Sequence, residues 1–297
     1  MCGIAAFFSS DKRISVERLK RATSSLHHRG PDSQGAWVSP NQRVGLGHAR
    51  LSIIDLTTGD QPIANEDEQL HIVVNGEFYD FERQRRELEQ RGHLFQTRSD
   101  SEIALHLYEE FGAHCVQQLR GEDAFALWDE TNQTLFAARD RFGIKPHFYD
   151  LPRQRALSGL GNQSLVCCRS TCALGPREFC QIGTGPQMSD RTLFDGVYQM
   201  PHGHYLTATT NGMRILRYWE FNYPTADGVE ADTRGESAFV EELAAVLEEA
   251  VRLQRRRACG LLSQRRTRLV LRAWFCRAAF QLADPGAYAH VRAGRIR

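Results

Sequence analysis

The chain has 297 residues, of which 41% are hydrophobic and 25% are charged, and its formal net charge is +1. These values are typical of a globular protein with one large domain or two smaller ones, and they exclude the strong global charge that favours a nucleic-acid or membrane partner. The sequence contains no run of about 18 apolar residues, which is the length needed to span a membrane. No basic region precedes the apolar N-terminus, which argues against a signal peptide and predicts a cytoplasmic protein with reduced thiols.

The N-terminus places a cysteine where it can act as a nucleophile. Removal of Met1 leaves Cys2 with both a thiol and a free α-amine. The amine has an ordinary pKa of about 7.7–8.0 and can take the thiol proton near neutral pH, so no separate histidine is needed. Residues 4–8 are apolar and predict a buried strand that holds this end of the chain rigidly. The alternative is a short apolar N-terminus in which the cysteine is incidental.

Helix and strand patterns alternate along the first part of the chain. Ser15 is placed to cap a helix whose apolar residues recur at helical spacing as far as Leu26. The Gly-Pro pair within residues 28–32 predicts a turn after that helix. Residues 44–48 and 70–74 are predicted strands.

The next segments continue this mixture. A helix is predicted over about residues 81–91, and a second one is predicted to be capped by Ser99 or Asp100 and to end at Gly112. Two strands pair around a turn within residues 124–138. Many strands with a few amphipathic helices between them predict an α+β sandwich.

Several polar residues in these segments suit attack on the amide of an amino acid. Asn75-Gly76 offers a side-chain amide and a freely oriented N–H to the oxyanion that such a reaction forms. Arg50 can bind a carboxylate through two parallel hydrogen bonds. Asp100 or Glu77 can bind an ammonium group. The alternatives are an ordinary Asn-Gly turn and solvated surface charges.

Six motifs follow one another in a fixed order through the first half of the chain. They are Met1-Cys2-Gly3-Ile4, His28-Arg29-Gly30-Pro31-Asp32, His48-Ala49-Arg50-Leu51-Ser52-Ile53-Ile54-Asp55, Asn75-Gly76-Glu77, Ser99-Asp100-Ser101-Glu102 and Arg139-Asp140-Arg141-Phe142-Gly143-Ile144-Lys145-Pro146. Together they strongly resemble the class II glutamine amidotransferase domain of glutamine-hydrolysing asparagine synthetases, over about residues 2–150. The chain departs from many relatives at Glu122-Asp123 and at residues 146–149.

The resemblance implies a fold and a set of residue roles. The fold is an N-terminal-nucleophile hydrolase αββα sandwich of two stacked antiparallel sheets, followed here by a disordered or incomplete C-terminal part. The implied catalytic residues are Cys2, as nucleophile with its own α-amine as base, and Asn75 and Gly76, as the oxyanion hole. The implied glutamine-binding residues are Arg50, Ile54, Asn75, Glu77 and Asp100. No metal ligand and no cofactor is implied for glutamine hydrolysis, whereas Mg-ATP belongs to the family's synthetase domain.

The resemblance stops after residue 150 and returns at residue 190. Residues 190–197, 201–206 and 217–219 look like the family's link to its synthetase domain, and an amphipathic helix follows around residues 239–251. The Ser-Gly-Gly-Leu-Asp-Ser loop, which grips ATP pyrophosphate in relatives, is replaced by residues 260–266. The predicted domains are therefore residues 2–220, an amidotransferase domain with an aberrant segment at 151–188, and residues 221–297, a remnant of the start of the synthetase domain.

Three explanations compete for the unusual segments. The first is a metal cluster formed by Cys167, Cys168, Cys172 and Cys180, but their spacing fits no zinc-binding pattern. The second is a nucleic-acid-binding patch in the arginine-rich tail, but the tail matches no known module. The third explanation is a shifted reading frame, because back-translation with a one-base offset restores a family-like strand and helix near residues 164–174. The same offset restores the missing Ser-Gly-Gly-Leu-Asp-Ser loop near residues 258–270.

The predicted function is hydrolysis of L-glutamine to glutamate and ammonia by Cys2. In the family this ammonia serves the ATP-dependent amidation of aspartate, so aspartate and ATP are partners by resemblance only, and the synthetase half of this chain is predicted not to function. The alternatives are a non-catalytic, poorly folded remnant and an amidotransferase that acts on another carboxylate. The sequence is compatible with a homodimer.

Overall fold

The computed structural model describes residues 2–52, 55–150, 190–192, 194, 197–222 and 234–255. The predictions for Ile54, for the segment 151–188 and for residues 256–297 lie outside these residues. The chain divides into two compact units, Met1–Tyr223 and Pro224–Arg297. The division of function between residues 2–220 and 221–297 stays a prediction.

A small antiparallel sheet carries the N-terminus. Its three strands are β1 (Gly3–Phe8), β2 (Ser33–Val38) and β3 (Val44–Arg50), in the spatial order β1-β3-β2. Gly3 lies opposite Ala49 in the register of β1 and β3. Cys2, which precedes β1, is therefore brought beside Arg50, which ends β3.

A second antiparallel sheet has six strands in the order β11-β10-β7-β6-β5-β4. These are β4 (Ile63–Ala64), β5 (Leu70–Phe78), β6 (Gly121–Asp129), β7 (Thr134–Arg139), β10 (His204–Thr209) and β11 (Gly212–Arg217). Two further strands, β8 (Phe148–Asp150) and β9 (Val197–Gln199), pair with each other.

Residues 204–217 form a hairpin, β10 and β11, that the sequence patterns did not predict. Residues 201–206 and 217–219, which resemble the family's link, fall within the predicted amidotransferase domain of residues 2–220, and β10 pairs with β7, so that Leu206 lies opposite Ala137. The tight connection to β11 contains Asn211-Gly212, which is a common hairpin sequence. These strands complete one edge of the larger sheet.

Five α-helices are present in the described residues. They are α1 (Val16–Ser25), α2 (Phe81–Gln90), α3 (Glu102–Phe111), α4 (Cys115–Gln118) and α5 (Glu236–Arg255), with a short 3₁₀ helix at Gly112–His114. The Ser15 hydroxyl accepts a hydrogen bond from the Arg18 N–H at 3.4 Å, which confirms the predicted cap of α1. None of these helices is long and apolar enough to cross a membrane.

The two sheets and the helices of the first unit form four layers. Alternate residues of a strand face opposite sides of a sheet. Val73 and Trp128 accordingly belong to the core between the two sheets, whereas Val74 and Leu127 belong to the core beneath α2, α3 and α4. On the far side, Leu19 of α1 packs against the small sheet. The predicted α+β class and αββα sandwich are confirmed.

Candidate active site

A pocket opens where the C-terminal end of β3 meets the end of β5. Six of the seven predicted site residues line it: Cys2, Arg50, Asn75, Gly76, Glu77 and Asp100. Ile54, the seventh, lies outside the described residues. Eight further lining residues were not predicted to belong to the site, namely His48, Leu51, Gly59, Gln61, Val74, Ser99, Ser101 and Lys145.

The thiol of Cys2 is held at the floor of this pocket. Its Sγ accepts a hydrogen bond from the Leu51 N–H at 3.4 Å and lies 3.7 Å from the Leu51 carbonyl oxygen. Burial raises the pKa of the Cys2 thiol, while the Leu51 N–H and the Arg50 charge act in the opposite direction. Arg29 Nε donates to the Cys2 carbonyl at 3.1 Å, so the His-Arg-Gly-Pro-Asp motif fixes the backbone of the cysteine. A thiol with a raised pKa needs a nearby proton acceptor to become nucleophilic.

His48 is the histidine that lines the pocket, and it is a poor candidate for that acceptor. Its ring is buried, and Nε2 lies 3.2 Å from the Val74 carbonyl oxygen, to which it must donate. Burial lowers the pKa of His48 to about 4. Its Nδ1 has no hydrogen-bond partner within the described part of the chain. So low a pKa makes His48 a weak base for the Cys2 proton.

Arg50 is anchored by the loop that follows β3. Nη1 forms an ion pair with Asp60 Oδ1 at 2.8 Å, and Nη2 donates to the Asp55 carbonyl. A Cβ atom at Gly59 would lie 2.6 Å from Arg50 Nη2, so a larger residue there would displace the guanidinium. The Asp55 carboxylate in turn accepts the Arg98 N–H at 2.8 Å and ties the loop to the segment before α3. The guanidinium is therefore fixed with one edge at the pocket.

Asn75 and Gly76 lie inside strand β5 and not in a turn. Asn75 is opposite Ala124 and Gly76 is opposite Asp123, so the alternative of an ordinary Asn-Gly turn is excluded. A Cβ atom at Gly76 would lie 2.4 Å from the Glu122 carbonyl oxygen. Close approach of β6 therefore requires glycine here, while the Asn75 side chain is buried beside it.

Asp100 is tied to the end of β5. Its Oδ2 accepts the Phe78 N–H at 2.7 Å, and its side chain is buried. Ser101 occupies the N-cap position of α3, so the expected capping by Ser99 or Asp100 is wrong. The Asp100 carboxylate accepts a hydrogen bond from β5 and does not cap α3. It lies at the pocket wall, which half-buried Glu77 also lines.

Gln61 connects the two walls of the pocket. Its Oε1 accepts the Val74 N–H at 2.6 Å, and its Nε2 donates to Ser101 Oγ at 3.2 Å. Both contacts join residues far apart in sequence, and no local pattern marks the glutamine. Sequence analysis could not have found this residue without a tertiary structure.

The Arg-Asp-Arg-Phe-Gly-Ile-Lys-Pro motif builds a turn that delivers Lys145 to the pocket. The Asp140 carboxylate accepts the N–H groups of Phe142, Ile144 and Lys145 at 2.9–3.0 Å. The Lys145 ammonium then forms an ion pair with Glu122 at 3.0 Å. Glu122, noted as a departure from relatives, thus has a defined partner.

The pocket brings together the groups that an amino-acid amide needs. A thiol, a guanidinium, two carboxylates and a buried amide converge from both sheets and from the segment before α3. Such a set can bind a carboxylate and an ammonium while a nucleophile reaches a carbonyl. A cysteine before the first strand of an αββα sandwich defines the class of N-terminal-nucleophile amidotransferases.

The chain belongs to the glutamine amidotransferase domain family, whose model matches residues 1–219. It is 39% identical over 270 residues to amidase chry2 of Gibberella zeae, covering 86% of this chain and 39% of that protein. It is 37% identical over 226 residues to asparagine synthetase [glutamine-hydrolyzing] 3 of Bacillus subtilis, covering 74% of this chain and 36% of that protein. The matched part thus spans well under half the length of these relatives.

Solved structures agree on the fold. The allosteric regulatory enzyme of purine biosynthesis superposes with a TM-score of 0.54 at 17% identity, covering 74% of this chain and 49% of that chain. Glutamine phosphoribosylpyrophosphate amidotransferase from B. subtilis superposes with a TM-score of 0.50, also at 17% identity and with the same coverages. At this identity the likeness shows the N-terminal-nucleophile hydrolase fold alone.

Proposed function

We propose that this chain hydrolyses L-glutamine to glutamate and ammonia, with Cys2 as the nucleophile after removal of Met1. The observation that carries the proposal is the convergence of Cys2, Arg50, Asn75, Glu77 and Asp100 on one pocket. These residues come from four separate parts of the sequence, and their chemistry matches the parts of glutamine.

The first half of the reaction forms a thioester. The α-amine of Cys2 takes the Sγ proton, and the thiolate attacks the side-chain carbonyl carbon of glutamine. The Asn75 amide and the Gly76 N–H stabilise the oxyanion that results. As the tetrahedral intermediate collapses, the proton passes to the departing nitrogen, and ammonia leaves.

The second half of the reaction regenerates the enzyme. Water gives a proton to the α-amine and attacks the thioester carbonyl through the same oxyanion-binding groups. Collapse of this intermediate breaks the C–S bond, returns the thiol of Cys2 and releases glutamate. These two steps need no cofactor, since every proton is held by the chain, the substrate or water.

The charged wall residues account for selection of a free amino acid. Arg50 binds the α-carboxylate of glutamine, and Asp100 with Glu77 binds its α-ammonium. Because Arg50 is anchored by Asp60 and by the Asp55 carbonyl, its guanidinium is oriented before substrate arrives. A peptide-bound glutamine, whose α-groups are amides, lacks both charges and is expected to be a poor substrate.

The acceptor of the ammonia is the finer part of the proposal. Aspartate, activated by Mg-ATP, is the acceptor suggested by the asparagine synthetases among the relatives. A second candidate is another carboxylate, because the relatives that are 39% and 36% identical are named amidases. Residues 252–297 contain no Gly-Gly pair and no Ser-Gly-Gly-Leu-Asp-Ser sequence. We therefore expect this polypeptide of 297 residues not to activate aspartate by itself, and we derive no step through ATP.

Ammonia release from glutamine tests the proposal. Purified full chain should form glutamate and ammonia in equal amounts, and Cys2→Ala should lower the rate by at least about 10³-fold, because no other nucleophile replaces the thiol. Cys115→Ala is the matched control, since Cys115 is a buried core thiol outside the pocket, and it should keep most of the activity. Undiminished hydrolysis by Cys2→Ala would exclude the mechanism.

A further inference from the structure

A second cluster of polar side chains lies in the helical layer, among residues that do not line the glutamine pocket. It consists of Glu66 in the turn between β4 and β5, His93 after α2, and His106 and Glu109 on α3. One ligand atom from each of the four lies within 4.8 Å of all the others. We propose that this cluster binds one divalent transition-metal ion of the Zn²⁺ type.

The spacing of the ligand atoms fits a metal centre. His93 Nδ1 and His106 Nδ1 lie 3.2 Å and 3.3 Å from the same atom, Glu109 Oε2. His106 Nδ1 also lies 3.8 Å from Glu66 Oε2. A tetrahedral zinc ion with bonds of about 2.0–2.1 Å separates its ligand atoms by about 3.3 Å. Two of the separations match that value, and all the ligand atoms lie within 4.8 Å of one another, so an ion would draw the more distant atoms inward.

The other nitrogen of each imidazole faces a further carboxylate. His93 Nε2 lies 3.0 Å from Glu110 Oε1, and His106 Nε2 lies 3.5 Å from Glu102 Oε1. A neutral imidazole has one N–H and one lone pair. If Nε2 donates to the outer carboxylate, each Nδ1 presents a lone pair to the Glu109 carboxylate, and two electron-rich groups then face each other. A cation between the lone pairs and the carboxylates binds both, which is the usual carboxylate–histidine–metal arrangement.

The outer carboxylates are themselves held in place. Glu102 Oε2 accepts the Thr97 N–H at 2.7 Å and the Thr97 hydroxyl at 2.6 Å, and Glu102 Oε1 accepts the Gln96 N–H at 2.6 Å. Arg91 forms an ion pair with Glu110 at 3.0 Å. Both supporting groups are therefore fixed by partners other than the histidines, as expected of groups that orient metal ligands.

The rival explanation is a pair of protonated histidines without a metal. His106 is fully buried, and its Nε2 faces Glu102 Oε1 at 3.5 Å. The two rings lie only 5.0 Å apart between centroids. Two imidazolium ions so close together would repel each other. One metal ion supplies the same charge at a single point between the carboxylates.

The ligand set also selects the kind of metal. Two imidazoles and two carboxylates suit Zn²⁺ and its neighbours, whereas Mg²⁺ and Ca²⁺ prefer oxygen ligands alone. The Glu66 and Glu109 side chains are 30% and 32% exposed, so an ion can enter from solvent. The site is structural: it joins α3 to the β4–β5 turn, and the residues just before α3 line the glutamine pocket.

Metal binding to the full chain tests the inference. Protein stripped with a chelator and with its thiols alkylated is titrated with Co²⁺ and Zn²⁺, because the chain also contains cysteines that could bind metal. We expect one equivalent to bind, with the weak visible Co²⁺ bands of nitrogen and oxygen ligands. Excess Zn²⁺ should raise the melting temperature by about 5–10 °C.

Matched variants identify the ligands. Glu66→Gln combined with Glu109→Gln keeps the size of two partly exposed side chains, and it should lose that equivalent and the thermal shift while its circular dichroism is retained. His114→Gln replaces an exposed histidine close to α3 and should bind as the unmodified sequence does. Failure of the unmodified sequence to bind, or equal binding by the double variant, would overturn the inference.

Discussion

The glutamine pocket and the His–Glu cluster (Glu66, His93, His106 and Glu109) both depend on α3, yet they fix their polar groups in different ways. In the pocket, backbone groups hold the side chains: the Phe78 N–H holds Asp100, and the Leu51 N–H contacts Cys2. In the cluster, side chains contact one another, as Glu109 does with both histidines. Groups held by the backbone stay in place when a ligand leaves, whereas we expect carboxylates and imidazole lone pairs that face one another to need a cation to remain close together.

The first way to sharpen this comparison is to remove the buried amide of the pocket. Asn75→Ala should lower kcat by about 10²–10³-fold with a smaller change in KM, because an oxyanion donor acts mainly in the transition state. Steady-state glutaminase kinetics measure this. The fold should be retained, since the backbone of Asn75 stays paired with Ala124. A variant with unchanged kcat would remove Asn75 from the reaction.

The second way is to remove the cation of the pocket wall. Arg50→Ala should raise KM by about 10–100-fold and change kcat less, because a carboxylate is bound equally in the ground and transition states. Arg50→Lys keeps the charge but loses the planar guanidinium, so its KM should lie between those of the unmodified sequence and of Arg50→Ala. Loss of kcat alone in Arg50→Ala would contradict a role in substrate binding.

The third way concerns Asp123, which is buried between the pocket strand and the Asp140 turn. Burial and the nearby Asp140 charge raise the pKa of Asp123 to about 8. The folded state therefore binds this proton more tightly than the unfolded state, whose carboxyl has an ordinary pKa of about 3.9. The stabilising contribution is complete below about pH 4 and is lost as the pH rises to about 8.

Asp123→Asn should remove this loss of folding stability at rising pH, because the asparagine amide does not titrate. Between pH 5 and pH 8 the melting temperature of the unmodified sequence should fall relative to that of Asp123→Asn by at least about 2–4 °C, which corresponds to about 1 kcal/mol for a domain of this size. Exposed Asp67 supplies the control variant, Asp67→Asn, which should follow the unmodified sequence. Parallel curves for Asp123→Asn and the unmodified sequence would show that Asp123 is not protonated in the fold.

The comparison also shows which features a sequence can predict. The strand at residues 4–8 and the α+β class were predictable, since buried strands and amphipathic helices leave periodic apolar patterns. The Ser15 cap was predictable from its residue type, whereas the αββα layers came from the family resemblance. The pocket residues were predictable only through the resemblance of ordered motifs. Strands β10 and β11 were missed because β11 forms the edge of the sheet and most side chains of both strands are only partly buried, which weakens the apolar pattern.

Residues that act through tertiary contacts were not predictable. Gln61 joins Val74 to Ser101 across the pocket, and no neighbour in sequence marks it. The His–Glu cluster draws its ligands from the β4–β5 turn, the segment after α2 and the middle of α3. No short metal-binding motif spans such distances, so only the fold brings the four side chains together.

Covalent labelling can establish whether Cys2, freed of Met1, is the nucleophile of the glutamine pocket. A glutamine analogue that carries a reactive diazoketone in place of its amide should form one adduct per chain, and peptide mass spectrometry should place it on Cys2 of a peptide that lacks Met1. Excess L-glutamine should protect, and Arg50→Ala should label more slowly. A single adduct on Cys2 with a free α-amine is the predicted result; labelling that spreads over the other cysteines, or that ignores glutamine, would contradict the proposed site.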